Sequence, residues 1–129
     1  MLSYVYVMLG GALGTGARFW ASGVVARRFG EFFPFGTLTV NVTGSFIIGF
    51  FGTLTEPEGA WLVPSAFRQL FMIGVCGGYT TFSSFSLQTL DLAQDGDLLK
   101  AGLSAVLSLV LCLLAVWLGR ICALSFRST

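Results

Sequence analysis

The stretch Cys76–Ser86, CGGYTTFSSFS, gathers the residues whose types and spacing could do chemistry. Two glycines are followed by five Ser or Thr hydroxyls with two phenylalanines among them, and no carboxylate or basic side chain interrupts the run. On a helix, Phe82 and Phe85 share a face, and Ser86, four residues from Phe82, stands on the same side. A phenyl ring has a positive edge, and a hydroxyl donates a hydrogen bond. Together they suit a small, strongly hydrated anion that must shed its water and still leave. A lysine or arginine at the same place would trap the ion instead of passing it.

The glycines raise a second possibility. Each costs a helix about 1 kcal/mol relative to alanine, and Tyr79, Thr80 and Thr81, mediocre helix formers, follow at once. Unwinding is expected over Gly77–Thr80. Irregular backbone is tolerated at membrane depth only when it is buried in protein or faces a cavity. Broken helices meet this need by coordinating ions, with carbonyls at the end of one half suited to a cation and N–H groups at the start of the next suited to an anion. No carboxylate lies nearby, so a cation would be held by neutral oxygens, as hard cations such as Na⁺ accept. Two copies meeting at a two-fold axis would complete its shell.

Matching polar groups lie elsewhere. Asn41 is the amide of GTLTVNVTGSF, accompanied by Thr37, Thr43 and Ser45, and Ser104 and Ser108 form an i, i+4 pair. A single Ser or Thr most often bonds back to its own helix, whereas a buried amide needs a real partner. Arg18 lies roughly 10 Å inside the end of the first apolar segment. It either snorkels to the interface or makes a water-filled vestibule electropositive.

These residues need elements to hold them. The chain has 129 residues, of which 55% are hydrophobic and 10% charged, against about a quarter charged in soluble domains. With a mean hydropathy of +0.85, this composition indicates an all-α integral membrane protein forming one domain over residues 1–129. Apolar segments long enough to span run over about residues 2–25, 36–54, 66–92 and 98–124. Four transmembrane helices are therefore expected, the third broken, with Pro34, Pro57 and Pro64 in connections or at helix starts. The N-terminus has no basic stretch before its apolar run, so the first segment is expected to be retained.

Four spans put both termini on one side. That side carries Arg68, Arg120 and Arg127, and the other Arg27, Arg28 and Lys100. The bias that normally orients a chain is thus zero, which favours insertion both ways round and an antiparallel (dual-topology) homodimer. Small-residue rows, Gly10/Gly14, Gly44 with Gly49 and Gly74/Gly78, favour close helix packing. Four helices alone enclose no water-lined path, so function at a subunit interface is expected.

Several classes are excluded. A net charge of +1 leaves no footprint for nucleic acid. Cys76, Cys112 and Cys122 show no metal-binding or disulfide spacing. GGALGTGAR in the first span lacks the Gly-Lys-Ser/Thr ending of a phosphate loop. No nucleophile–base pair supports an enzyme.

With these residues in view, the chain resembles the Fluc/CrcB family of small dual-topology fluoride channels. Gly77–Ser86 is similar to its third-span signature, and Gly36–Gly44 (GTLTVNVTG) and Gly16–Phe19 (GARF) continue the likeness. The resemblance implies a passive channel exporting fluoride across the bacterial inner membrane as fluoride resistance. It further implies an antiparallel homodimer with two pores and a central structural Na⁺, held by the backbone carbonyls of Gly77 and Thr80. Fluoride, a second copy of the chain and the lipid bilayer are the implied partners. The pore phenylalanines map to Phe82 and Phe85, the pore amide to Asn41 and the vestibule arginine to Arg18. Polar-track hydroxyls would include Thr37, Thr81, Ser83, Ser84, Ser104 and Ser108. Ser84 stands where the family often has Thr, and Gln88 where many members carry Glu; Gln88 can still hydrogen-bond an anion.

The alternative is a small dual-topology, proton-coupled drug exporter. It needs a membrane carboxylate, for which Asp91, at the end of the third span, is the nearest candidate. No His, Glu or Lys lies at mid-depth to relay protons.

Overall fold

The computed structural model describes residues 1–127. Helix α1 spans Leu2–Phe29 and α2 spans Phe35–Leu54. Helix α3 occupies Ser65–Gln94 and is interrupted, and α4 runs over Leu98–Arg127. The expected apolar segments thus become helices, most of them extended by a few residues at one or both ends. Pro34 and Pro64 stand at the N-caps of α2 and α3, where a missing N–H costs least. Gly30 closes α1, and Gly96 turns the chain from α3 into α4; both have φ of +85°, a conformation that glycine adopts without steric cost.

Helix α3 differs from expectation in one respect. Gly77–Tyr79 is helical, and the interruption falls at Thr80 and Thr81, which are extended with φ/ψ of −90°/159° and −151°/121°. The unwinding expected over Gly77–Thr80 is therefore displaced toward the β-branched pair. Leu70–Cys76, just before it, is π-helical. Such wide turns recur beside functional sites, and nothing in the hydropathy pattern announced this one.

The glycines act through close approach. The π-helical part of α3 packs on α1, and α4 packs along α2. A Cβ added to Gly74 would lie 2.8 Å from both Gly10 Cα and Val7 O, and one added to Gly78 would lie 2.7 Å from Gly11 O. On the other pair of helices, a Cβ on Gly49 would collide with Val116 O, and one on Gly119 with Phe46 O. Backbone meeting backbone in this way is how membrane helices gain packing energy without a hydrophobic driving force between them.

The core is correspondingly thin. Val40 and Leu54 are the largest fully buried side chains, while Val106, Leu109, Leu113 and Trp117 of α4 are exposed on the single chain. Helices α2, α3 and α4 are long and apolar enough to cross a membrane. Helix α1 has 28 residues but is diluted by Arg18 and its glycines.

The helix ends sort by side. Arg68 donates to Gly52 O and Thr55 Oγ1, and Arg120 to Thr53 Oγ1 and Glu56 Oε1. Both cations thus sit at the C-terminal end of α2, where its dipole favours them. At the opposite end, Lys100 lies 5.5 Å from the centre of the Phe32 ring and pairs with Asp97 at 3.6 Å.

Candidate functional site

The break in α3 is held by side chains from two other helices. Asn41 of α2 donates Nδ2–H to Thr81 O at 2.9 Å and accepts Thr81 N–H on Oδ1 at 2.7 Å. Its amide pairs with Thr81 as a neighbouring strand would. Arg18 of α1 donates Nε–H to Gly78 O at 2.9 Å. Thr80 turns both its N–H and its hydroxyl to Cys76 O, at 3.1 and 3.0 Å. Beyond the break, Thr81 Oγ1 accepts Ser84 N–H at 3.2 Å and so caps the second half of α3, Phe82–Gln94.

Two spaces meet at Thr81. The first is a half-open groove of about 540 Å³, lined by Asn41, Ser45, Gly77, Thr80, Thr81, Phe82, Phe85 and Ser108 with an apolar wall from Ile48, Leu109 and Leu113. The two phenyl rings stand 5.4 Å apart, tilted by 57°, and Phe82 is 78% exposed. The second is a cavity of about 770 Å³ bounded by α1, α2 and the second half of α3. Arg18, Thr37, Ser84 and Gln88 line it, with Arg27, Glu31, Asp91 and Asp95 also on its wall. Gln88 Oε1 is buried and has no hydrogen-bond partner among the described residues. An amide in this position can turn over and present N–H instead.

Of the residues singled out from the sequence, Asn41, Gly77, Thr80, Thr81, Phe82, Phe85 and Ser108 come together at the groove. Arg18, Thr37, Ser84 and Gln88 come together at the cavity. Ser83 and Ser104 line neither space. Ser83 Oγ lies 3.3 Å from Thr81 Oγ1, and Ser104 is buried one turn from Ser108. Arg18 bonds Gly78 O through Nε, and its side chain borders the cavity.

The profile of the family described as CrcB-like protein, Camphor Resistance (CrcB), matches residues 5–120. The chain belongs to this family. A protein of Opitutus terrae named fluoride-specific ion channel FluC is 62% identical over 128 residues, covering 99% of this chain and 97% of that one. Proteins of the same name from Rhodospirillum rubrum and Methylocella silvestris are 56% and 54% identical over 120 and 126 residues. The alignments cover 93% of both chains in the first case, and 98% of this chain and 96% of its relative in the second. With its membrane-capable helices, this CrcB-family chain is a multi-pass membrane protein.

Some of the site escaped sequence reasoning. Thr43 and Tyr79 share a hydroxyl contact of 2.9 Å that ties α2 to the last turn before the break. The π-helical turn sets the direction from which Gly77 arrives, and Cys76 O collects both donors of Thr80. Spacing gave no sign of the first two, because one joins residues on different helices and the other depends on an extra residue in a turn, whereas the Thr80 bonds to Cys76 O are ordinary i to i−4 contacts. Conversely, Thr43 and Ser86 bond back to Thr39 O and Phe82 O, at 2.8 and 2.9 Å, the commonest fate of such hydroxyls.

Proposed function

We propose that this CrcB-family protein is a passive fluoride-selective channel, not an enzyme, in a bacterial inner membrane. It works as an antiparallel homodimer with α1 as a fourth span and one pore along each of two grooves. The observation that carries this reading is the shared name of relatives 62% and 56% identical over nearly the whole chain. The groove is consistent with it. A second copy laid over the half-open face would cover Phe82 and narrow the space between phenyl rings and hydroxyls. The wall has no carboxylate or ammonium, so an anion would meet weak, partial positive charge from ring edges and O–H donors. Thr81 and Ser108 supply hydroxyls within the groove, with Ser83 Oγ 3.3 Å from Thr81 Oγ1 beside it. Arg18, Thr37, Ser84 and Gln88 form the wetter approach. Thr81 joins the two spaces.

A central Na⁺ fits the donor set. In an unbroken helix Thr81 N–H would bond Gly77 O, four residues back. It goes to Asn41 instead, so the Gly77 carbonyl is relieved of that donor and, like Thr80, lies beside the groove. Neutral carbonyls of Gly77 and Thr80 from two copies would hold such an ion, and the ion would fix the two subunits in register.

Purified protein in liposomes, with fluoride and chloride efflux followed by electrodes, tests the proposal. Fluoride is expected to leave far faster than chloride. Equal rates, or no efflux of either, would overturn it.

A further inference from the structure

We propose that Asn41 is a positioning residue whose amide holds the α3 break open within each single subunit. The inference deepens the channel reading, from which it takes its functional consequence. A side-chain amide has one acceptor oxygen and two N–H donors. In Asn41 the oxygen is taken by Thr81 N–H and one donor by Thr81 O, at 2.7 and 2.9 Å. Only the second Nδ2 hydrogen is left to donate to an anion in the groove. The pairing also does what a passing ion could not: it diverts Thr81 N–H from the Gly77 carbonyl, keeping Thr81 extended at φ −151°, ψ 121°. Thr81 in turn caps Ser84 N–H and starts the helix that carries Phe82 and Phe85. One amide thereby fixes the carbonyls on one side of the break and the phenyl rings on the other.

The partners belong to one chain, so the pairing requires no second subunit or cation. Arg18 reinforces it from α1 by engaging Gly78 O, but no hydrogen bond joins Arg18 to Thr81 among the described residues. Asn41 alone decides where the Thr81 N–H goes.

Residue-resolved amide hydrogen exchange at Thr81, on purified protein in lipid nanodiscs without fluoride, tests this. Asn41→Ala is expected to speed exchange at Thr81 by at least ~10-fold, the factor implied by losing one well-formed hydrogen bond. Asn41→Asp keeps an acceptor for that N–H while adding a charge that blocks an anion path, so it should keep Thr81 protected yet abolish fluoride efflux. Asn41→Gln, which keeps the amide but moves it by a methylene, serves if the alanine variant does not fold, and should also expose Thr81. Unchanged exchange in a folded Asn41→Ala or Asn41→Gln protein would overturn the proposal. So would Asn41→Asp exchanging as fast as Asn41→Ala. The exchange measurement uses no fluoride, so its failure is distinguishable from a failure of the channel reading, which appears only in liposome efflux of the unmodified protein.

Discussion

Arg18 and Gly78, sixty residues apart in sequence, are joined by a hydrogen bond from the guanidinium Nε to the carbonyl oxygen at 2.9 Å. The carbonyl lies just before the extended Thr80–Thr81 pair, where the regular helical ladder runs out. A charged donor on such an oxygen is worth about 1.5–3 kcal/mol. Half-burial at the edge of the cavity puts Arg18 toward the lower end of that range. Arg18→Met is therefore expected to lower the thermal unfolding midpoint of the purified protein as well as its fluoride efflux. Arg18→Lys should recover efflux better than stability, because an ammonium keeps the charge without the planar fork of the guanidinium. Equal stability of all three proteins would show that the Gly78 contact contributes nothing.

Gly10 and Gly11 are neighbours in sequence with opposite surroundings. A Cβ on Gly10 would run into Leu70 O and come within 3.0 Å of Gly74 Cα, whereas one on Gly11 would meet nothing within 4 Å. Gly10→Ala must push α1 off α3 and is expected to cost about 1–3 kcal/mol, the usual range for overpacking. Gly11→Ala should be neutral, or stabilising by up to about 1 kcal/mol through helix propensity. Thermal denaturation of the two variants side by side checks the contrast, and like effects would refute this account of the α1–α3 contact.

Much of this arrangement was legible because hydropathy and proline positions are local properties. The apolar segments became helices near their expected bounds, with Pro34 and Pro64 at their starts. The glycine rows were correctly read as packing surfaces, since Gly10 and Gly74 do face one another. The position of the break was misjudged for a physical reason. Glycine lowers the cost of leaving a helix but does not compel it, and Gly78 is used instead for close approach to Gly11 and Thr15. What compels the break is a partner for Thr81 on α2, forty residues upstream. Neither that pairing nor the hold of Arg18 on Gly78 leaves a mark in local spacing.

Phe82 is 78% exposed on the single chain, and its ring lies 5.4 Å from that of Phe85. Replacing Phe82 by Ile keeps the bulk but removes the polarised ring edge, so the fold of the subunit should survive while conduction suffers. Aromatic geometry of this kind is worth about 0.5–1.5 kcal/mol, which translates to a loss of up to about ten-fold in fluoride efflux. The unfolding midpoint should stay near that of the unmodified protein. Undiminished efflux in both Phe82→Ile and Phe85→Ile would remove the rings from the proposed pore.

Dual insertion is testable through the basic residues at the helix ends. Arg68 and Arg120 converge on the C-terminal end of α2, while Lys100 sits against Phe32 at the other end. The contacts therefore group these three cations by end as the sequence count assumed. Orientation follows Lys and Arg near the span ends, and paired carboxylates contribute little to it. The Arg120–Glu56 and Lys100–Asp97 pairs thus leave the balance intact. A cysteine introduced at the exposed Ala60, in a background lacking Cys76, Cys112 and Cys122, should react with impermeant reagents from both faces of the membrane. Adding two lysines beside Gly96 should lock one orientation and abolish fluoride efflux. Co-expression with a second variant carrying two lysines beside Gly59 should restore efflux, because only together do the two supply opposed copies. Labelling from one face alone, or full efflux from either biased variant by itself, would mean that the antiparallel pair is not the working unit.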